Sequence, residues 1–482
     1  MGFEDLGPQE LKNISDPVSA FRLVSGSISV SAGSTSAAKP VGWKRWRVPA
    51  IGAGAIVIIA VALGAVIWQP WAPDFEPVSA EEMALPLPDK PSIAVLPFTN
   101  ISSDKEQEYF ADGMTEDIIN NLSKVSGLFV IARTSTMRYK GKSVDVRQVS
   151  RDLGVRYVLE GSVRKAIENV RITAQLIDAT SGRQMWAERY DRQLADVFTI
   201  QDEISEMIVA SAAVVLDPGE SERVRRERKP NSVAYDYYLQ GLVSYVPPSP
   251  KNLSEARTLL EHALAWDTEF AEPYGLLSFV HFLRAVTGAA DSPKDAMDTA
   301  LRVARKGIEI DNKNAGSYRS LGIALLYSRR LDEAETALKK ALDLTPGDAR
   351  TRAVYAQFLH FSGNPSEGVE LAKQAYRANP SDMVVTYYLG ANYRAAGQYE
   401  QAIDTLKRRR QLFGRPDPNP DLNLAAAYML SGKEAEARAV VQDILKAVPH
   451  YNVQAAIRGA PYRRPEDLKL YLDTIRAAGL PE

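Results

Sequence analysis

No cysteine occurs among the 482 residues of this chain. Its absence excludes disulfide bonds, thiolate nucleophiles and zinc or iron–sulfur sites built on cysteine. Histidine is nearly as scarce, and none of the four residues forms a pair at metal-ligand spacing: His262, His281, His360 and His450. The sequence therefore predicts no metal site, and none of the common short motifs for catalysis or cofactor binding is present.

An excess of charge of either sign is also missing. The chain has 58 Lys and Arg residues against 60 Asp and Glu residues, a formal net charge of −2. This balance provides no basic field that would favour nucleic acid as a partner. Two local charge runs stand out, at Glu220–Lys229 and Lys407–Arg410. We interpret the first as a solvated helix extension, and the second as solvated surface or a contact for a protein partner.

One long stretch lacks charged side chains altogether, the 21 residues from Val48 to Trp68. At 1.5 Å per residue a helix of this length spans about 31 Å, close to the hydrocarbon thickness of a bilayer. Tryptophans flank both ends, as is typical of membrane interfaces: Trp43, Trp46, Trp68 and Trp71. A buried core helix and a cleaved signal peptide are the alternatives. The sequence predicts a single transmembrane helix over 48–68 that contacts membrane lipid.

The charges around this stretch predict its orientation. Four basic residues between positions 39 and 47 precede it, whereas acidic residues follow it. The positive-inside rule then predicts a bacterial inner-membrane protein with a cytoplasmic N-terminus and a periplasmic bulk. Residues 25–47 have the composition of a flexible basic linker, and the six prolines within 69–91 predict a stiff, extended spacer.

Residues 1–24 contain Asp5-Leu6-Gly7, Leu11–Ile14 and Pro17-Val18, and Val18–Val24 alternates loosely enough for a strand. This segment resembles the C-terminal end of class III adenylate and guanylate cyclase domains. In that family the metal-binding acids lie upstream of this tail, so the resemblance implies a remnant without a catalytic core. Lys12 is the one match to a position that can approach the triphosphate, and we expect it to be solvated. The family also suggests a homodimer.

Residues 92–216 predict one small α/β domain with a mixed sheet. Apolar runs and alternation predict strands at 92–98, 128–132, 157–163, 170–178 and 184–190. Helical spacing predicts helices at 108–122, 146–153 and 197–215. Five segments of this domain carry a resemblance to a known family: Ser92–Phe98, Phe110–Gly113, Arg133–Ser135, Tyr157–Val163 and Trp186–Asp191. On these residues the domain resembles the TolB-like domain that accompanies bacterial cyclase or winged-helix output domains.

Several carboxylates of this domain could in principle bind a metal or transfer protons, namely Asp112, Glu116, Asp117, Glu160 and Glu188. We interpret them as structural, because acids at helix N-termini are favoured by the helix dipole alone. No nucleophile, base and orienting group can be assembled around them. The sequence predicts no catalytic residue and no cofactor.

A repeat of 34 residues occupies 230–450. From Ala315 the pattern Tyr318, Leu321-Gly322, Ala334 and Pro346 recurs at Tyr355, Gly368 and Pro380, and again in later units. This period and signature predict tetratricopeptide repeats, which bury their apolar faces only by stacking. Residues 451–482, with a helix at 463–478, would cap the last repeat. We assign five tyrosines to the core or the concave face: Tyr318, Tyr355, Tyr387, Tyr388 and Tyr393.

The sequence as a whole predicts a multi-domain chain with one transmembrane helix, a small TolB-like α/β domain and an all-α tetratricopeptide solenoid. Its predicted function is a membrane-anchored periplasmic sensory scaffold that binds a protein or peptide on the concave face of the solenoid. Two alternatives remain open. One is a truncated or split class III adenylate cyclase that makes cyclic AMP with a core located elsewhere, and the other is a purely structural assembly factor.

Overall fold

The computed structural model describes residues 2–9, 18–24, 78–79, 81, 83–166, 168–216, 219–220, 228–458 and 460–482. The chain divides into two compact units, residues 1–73 and 74–482. In the first unit, strands β1 (Gly2–Gln9) and β2 (Val18–Val24) pair antiparallel, with Gly2 opposite Val24. The strand predicted at Val18–Val24 is confirmed. Lys12 and the linker 25–47 lie outside the described residues.

The second unit begins with a six-stranded mixed sheet and the helices that cover it. The elements are β3 (Ser92–Val95), β4 (Thr99–Asn100), α1 (Glu108–Leu122), β5 (Phe129–Val130), α2 (Arg133–Thr136), α3 (Val146–Leu153), β6 (Tyr157–Ala166), β7 (Asn169–Asp178), β8 (Arg183–Gln193) and α4 (Val197–Ser211). Strand β3 pairs parallel with β5 and β6, and β6, β7 and β8 form an antiparallel meander, giving the order β5-β3-β6-β7-β8. The sixth strand, β4, pairs parallel with β6.

Local sequence explains these elements. Helix α3 begins after Asp145, whose carboxylate accepts the Arg147 N–H, and ends at Gly154, which adopts the left-handed φ of 60°. Strand β7 buries every second side chain from Val170 to Asp178, as expected for a strand with one face against a core. Helices α1 and α4 cover that face, and α2 and α3 lie near the other face around β3 and β5.

The rest of the unit is a helical solenoid of six helix pairs with two closing helices. Its elements are α5 (Ser232–Ser244), α6 (Pro250–Trp266), α7 (Ala271–Thr287), α8 (Pro293–Ile310), α9 (Ala315–Tyr327), α10 (Leu331–Leu344), α11 (Ala349–Ser362), α12 (Pro365–Ala378), α13 (Met383–Ala395), α14 (Tyr399–Phe413), α15 (Pro418–Leu430), α16 (Glu434–Ala447), α17 (Val453–Arg458) and α18 (Pro465–Ala477). The repeat glycines permit close helix packing, since a Cβ at Gly322 would lie 2.5 Å from the Leu338 side chain.

The predicted fold class included a transmembrane helix, and this prediction is corrected. Within the described ranges no helix is both long and apolar enough to cross a membrane. The longest of them, α8, has 18 residues and carries charged side chains along its length, such as Lys294 and Arg302. What the structure shows is a helical solenoid with a small α/β region over residues 92–211. The predicted location in a bacterial inner membrane, with a periplasmic bulk, is corrected on the same finding, and the segment 48–68 itself lies outside the described residues.

Part of the predicted spacer 69–91 is packed against the rest of the unit. Val78 is buried, and its N–H donates to the Thr180 carbonyl at 2.9 Å. The Ala84 N–H donates to Arg151 at 2.8 Å, and the Pro86 carbonyl accepts from Arg377 in the solenoid at 2.7 Å. The described residues of this segment therefore pack against the rest of the unit, whereas its proline content predicted a stiff, extended spacer without a packed core.

Candidate functional site

The first helices of consecutive repeats line the concave side of a tetratricopeptide solenoid. In this chain, α11, α13 and α15 provide His360, Phe361, Arg394 and Asn423 to one continuous patch, which we call the groove. The groove is occupied by the chain's own residues 460–464, which connect α17 to α18. We call these residues the crossing segment.

Tyr462 is the central contact between the crossing segment and the groove. Its side chain is buried, and its hydroxyl accepts a hydrogen bond from Arg394 Nη2 at 2.8 Å and lies 3.1 Å from His360 Nε2. The ring meets the edge of Phe361 with centroids 5.0 Å apart, and Tyr471 of α18 lies 5.9 Å away. Tyr462 therefore combines a buried aromatic ring with a hydrogen-bonded polar end, as interface aromatics commonly do.

Arg394 is buried on α13 and links three elements. Its Nε donates to Asn423 Oδ1 at 2.8 Å, and its guanidinium stacks over the ring of Tyr471 at 5.0 Å. In the part of the chain that is described, no carboxylate lies within ion-pair distance of Arg394. A buried cation that relies on neutral acceptors is costly to desolvate, so the Tyr462 oxygen matters for satisfying this guanidinium.

The residues beside Tyr462 add backbone and charge contacts. The Arg463 N–H donates to the Phe361 carbonyl at 2.8 Å, and its side chain pairs with Asp332 on α10 at 2.7 Å. Arg464 packs against Gly363, where φ is +89° and a Cβ would lie 2.5 Å from the arginine Nε. An aromatic anchor, a main-chain hydrogen bond and an ion pair are the contacts by which grooves hold peptides.

The groove is electrostatically suited to binding rather than proton transfer. Burial, together with the Arg394 charge, holds the pKa of His360 well below its usual range, so the imidazole is neutral at pH 7. Burial likewise raises the pKa of both Tyr462 and Tyr471. The groove therefore presents one fixed positive charge and several neutral hydrogen-bonding groups.

The α/β region packs against the first repeat of the solenoid and also contacts α11 and α12. Tyr235 of α5 is buried against Phe110 and Phe198, and its hydroxyl donates to Asp117 of α1 at 2.6 Å. A Cβ on Gly113 of α1 would lie 2.5 Å from the Leu239 side chain of α5, so these two helices approach closely. The first repeat therefore has its inner surface buried against α1 and α4.

The carboxylates singled out from the sequence take part in structural contacts. Asp112 pairs with Lys140 at 2.7 Å and with Arg133 at 3.3 Å, and Glu116 lies 3.9 Å from Arg350 of the solenoid. Asp117 accepts the Tyr235 hydroxyl, Glu160 accepts from Gln175 at 2.9 Å, and Glu188 is exposed on β8. In the ranges that the structure describes, no group of three metal-ligating side chains comes together.

The two charged runs are partly internal. Arg409 is buried, pairs with Asp417 and donates to the Met383 carbonyl, and Arg410 reaches Asp443 at 2.8 Å. These contacts tie α14 to α13 and to the next repeat. Glu220 accepts the Ser126 N–H at 2.6 Å, and Arg228 pairs with Asp267 at 3.0 Å, so both described ends of Glu220–Lys229 are anchored.

The four histidines and the five tyrosines named in the sequence analysis lie in different parts of the fold. His281 is buried, and burial together with the neighbouring arginine charges lowers its pKa to about 4. His262 contacts Tyr237, and His450 is exposed. Of the five predicted tyrosines, Tyr355 and Tyr388 are core residues, whereas the other three are partly buried. Burial raises the pKa of Tyr387 well above its ordinary value, and Tyr471 and Tyr462 contribute to that shift, so this tyrosine lies close to the groove.

Sequence reasoning missed the groove residues that matter most here, Tyr462 and Arg394. The only available signal was the run Tyr462-Arg463-Arg464 immediately before Pro465, in a stretch without helical periodicity. That run indicates a connecting segment with an aromatic and two cations, but it does not indicate which surface the segment covers.

Comparison with known proteins assigns two parts of the chain. Residues 287–420 match the family of the cytochrome c-type biogenesis protein H TPR domain. Residues 89–207 match the HilA/YgeH-like transcriptional regulator, second domain. The repeat pattern and the helical solenoid agree with the first of these matches, so residues 287–420 are similar to a tetratricopeptide-repeat domain. The resemblance of the α/β region to TolB-like domains stays a prediction.

The chain is similar to three proteins over parts of its length. The chain is 46% identical over 271 residues to "Putative adenylate cyclase 3" of Rhizobium meliloti (strain 1021), an alignment that covers 56% of the chain and 46% of the relative. It is 20% identical to the TPR repeat-containing protein YpiA of Bacillus subtilis (strain 168), covering 68% and 70%. Pseudomonas aeruginosa pilF is similar with 18% identity and a TM-score of 0.35, covering 47% and 96%. The chain thus spans about half the length of the cyclase-named relative.

Proposed function

We propose that this chain is a protein-binding scaffold of a cyclase-type signalling system, and that its groove binds peptide segments carrying a tyrosine followed by arginine. The observation that carries the proposal is the crossing segment itself. Tyr462 and Arg463 use an aromatic anchor, a backbone hydrogen bond and an ion pair to hold the connection between α17 and α18 on three repeats. A partner segment of the same chemistry would use the same contacts.

The crossing segment makes this binding competitive. An internal segment is present at a high effective concentration, so an external peptide binds well only when the internal one is weakened or displaced. Weak ligands therefore do not displace the crossing segment from the groove, whereas partners that make additional contacts with the protein do. This view is supported by the near-complete burial of Tyr462 and Arg394 in the closed form.

A labelled nonapeptide spanning residues 460–468 tests the proposal by fluorescence anisotropy. We expect it to bind the full chain carrying Tyr462→Ala and Arg463→Ala at least about tenfold more tightly than the unaltered chain, whose groove is occupied. The same peptide with alanine at its tyrosine is the matched control and should not bind. Equal binding of the two peptides, or no binding to the variant, would show that the groove does not recognise this chemistry.

The link to a cyclase system is supported by the 46% identity to a relative that bears a cyclase name. A second candidate follows from the same match, that the chain forms part of an adenylate cyclase that makes cyclic AMP. The two are separated by incubating the full chain with ATP and Mg²⁺ or Mn²⁺ and measuring cyclic AMP. Product formation would overturn the scaffold proposal in favour of the enzyme.

A further inference from the structure

The meander of the α/β region ends in a long strand with an open edge. Strand β8 has 11 residues, and eight of them are exposed. Among the described residues its strand partner is β7, along ten residue pairs from Asn169↔Gln193 to Asp178↔Arg183. The outer N–H and C=O groups of such a strand are a template for another strand.

The composition of β8 restricts which strand can add there. The C-terminal half of β8 carries acidic and basic residues in alternation, namely Glu188, Arg189, Asp191 and Arg192. All four are exposed, and they flank the buried Tyr190. Charges on an edge oppose indiscriminate pairing, because a partner must match them in register. A partner with complementary charges at the same spacing is therefore favoured over a generic strand.

We propose that this partner is β8 of a second copy of the chain, paired antiparallel about a twofold axis through Tyr190. A twofold axis perpendicular to the sheet keeps equivalent faces together, so only residues of the same face can oppose each other. Centred on Tyr190, this register places Glu188 opposite Arg192 and Arg189 opposite Asp191. The symmetry repeats each pair, which gives four opposite-charge pairs over residues 187–193.

The neighbouring registers are worse. Centres at Glu188, Arg189 or Asp191 each place a charge opposite its own copy, which is destabilising for a directly opposed pair. A register centred on Ala187 forms one type of opposite-charge pair. It leaves Glu188 opposite Trp186, without a charged partner. Of these registers, only the one centred on Tyr190 places each of the four charged residues opposite a residue of opposite charge.

The existing contacts of these side chains leave them available. Asp191 accepts from Arg189 at 2.8 Å and also pairs with Arg171, and Arg192 pairs with Glu203 at 2.9 Å. These are exposed pairs, which contribute little to folding and can be shared with a partner strand. The sheet would then continue across the twofold axis with α1 and α4 of both copies on one side.

Charge exchange tests the surface in the full chain by sedimentation over roughly 1–100 µM, the range expected for a small interface. Glu188→Arg should raise the dimer dissociation constant about tenfold or more, because it places two arginines opposite each other twice. Adding Arg192→Glu reverses the pair and should restore dimerisation. A chain that is monomeric throughout this range, or a double variant no better than the single one, would overturn the proposal.

Cysteine cross-linking tests the register, and the natural chain contributes no background thiol. Opposed residues of antiparallel strands lie about 4.5–5.5 Å apart at Cα, within disulfide reach. An oxidised mixture of Arg189→Cys and Asp191→Cys chains should form a covalent heterodimer, whereas each variant alone should not. Cross-linking of Arg189→Cys with itself, or none in the mixture, would refute the Tyr190 register. Neither experiment involves the groove, so failure here leaves the peptide experiment unaffected.

Discussion

Replacing Tyr462 by phenylalanine removes a single oxygen from the groove and leaves the ring in place. That oxygen is an acceptor for Arg394 and a neighbour of His360, at 2.8 and 3.1 Å. Without it Arg394 keeps Asn423 as an acceptor, but at least one of its buried N–H groups loses its partner. A hydrogen bond to a charged group contributes about 1.5–3 kcal/mol, so we expect Tyr462→Phe to weaken the crossing segment by about 2 kcal/mol.

The matched control is Tyr471→Phe. Tyr471 is also buried in the groove and contacts Arg394 through its ring at 5.0 Å, but its hydroxyl makes no hydrogen bond within the described ranges. The same atom is removed from the same surroundings. We expect this variant to change the stability of the segment by less than about 0.5 kcal/mol.

Native-state hydrogen exchange at the Arg463 amide measures the effect locally, since that N–H donates to the Phe361 carbonyl and exchanges only when the segment opens. A loss of about 2 kcal/mol corresponds to exchange that is roughly thirtyfold faster. A Tyr462→Phe chain whose Arg463 amide exchanges as slowly as before would refute our account of Arg394. Equal acceleration by Tyr471→Phe would attribute the effect to general loosening of the groove.

Two further predictions concern pH and the attachment of the α/β region. The folded pKa values of His281 and His360 lie below the unfolded value of about 6.5, so their contribution to the free energy of unfolding is fully present above pH 6.5. It falls as the pH is lowered towards the folded values, by up to about 1.4 kcal/mol per pH unit for each residue. The denaturant midpoints at pH 7 and pH 5.5 should therefore differ less for His360→Gln than for the unaltered chain, and an unchanged difference would contradict this. Arg377→Ala removes the donors to the carbonyls of Leu153, Gly154 and Pro86, which should weaken the contact between the α/β region and the solenoid by about 2–3 kcal/mol. Faster amide hydrogen exchange in α3 and β6 would measure this loss. Lys373→Ala, at an exposed position on the same helix, is the control and should have no effect.

Local patterns predicted the elements because each is encoded within a short window. Helices Glu108–Leu122 and Val146–Leu153 match their predicted bounds, and the second is fixed by Asp145 and Gly154 at its ends. The strand predicted over 92–98 ends at Val95, since Pro97 has no N–H to give to a ladder, and pairing resumes in the separate strand Thr99–Asn100. The helix from Val197 ends at Ser211 rather than at 215, and Ala213 has a φ of +54°.

The groove could not be predicted in the same way. Tyr462 and His360 are 102 residues apart, and Arg394 and Asn423 come from two further repeats. Repeat periodicity predicts that these side chains line a common surface, but it contains no information about what covers that surface. The closing helix was predicted at 463–478 and is found at Pro465–Ala477, yet its role in burying Tyr471 and Leu472 against the last repeats depends on packing that no local window encodes.

The groove and the edge of β8 bind through different kinds of interaction, so their two binding events can be distinguished by experiment. The crossing segment is held mainly by burial of Tyr462 and by its buried hydrogen bonds, because the Arg463–Asp332 ion pair is exposed and contributes little. Added salt should therefore weaken the segment only slightly. The β8 register depends on exposed charge pairs, which are screened at high ionic strength. A partner that enters the groove must first displace residues 460–464, whereas a second copy at β8 displaces no described strand. Association through β8 should therefore respond to salt and chain concentration, and peptide binding in the groove should respond to the integrity of Tyr462.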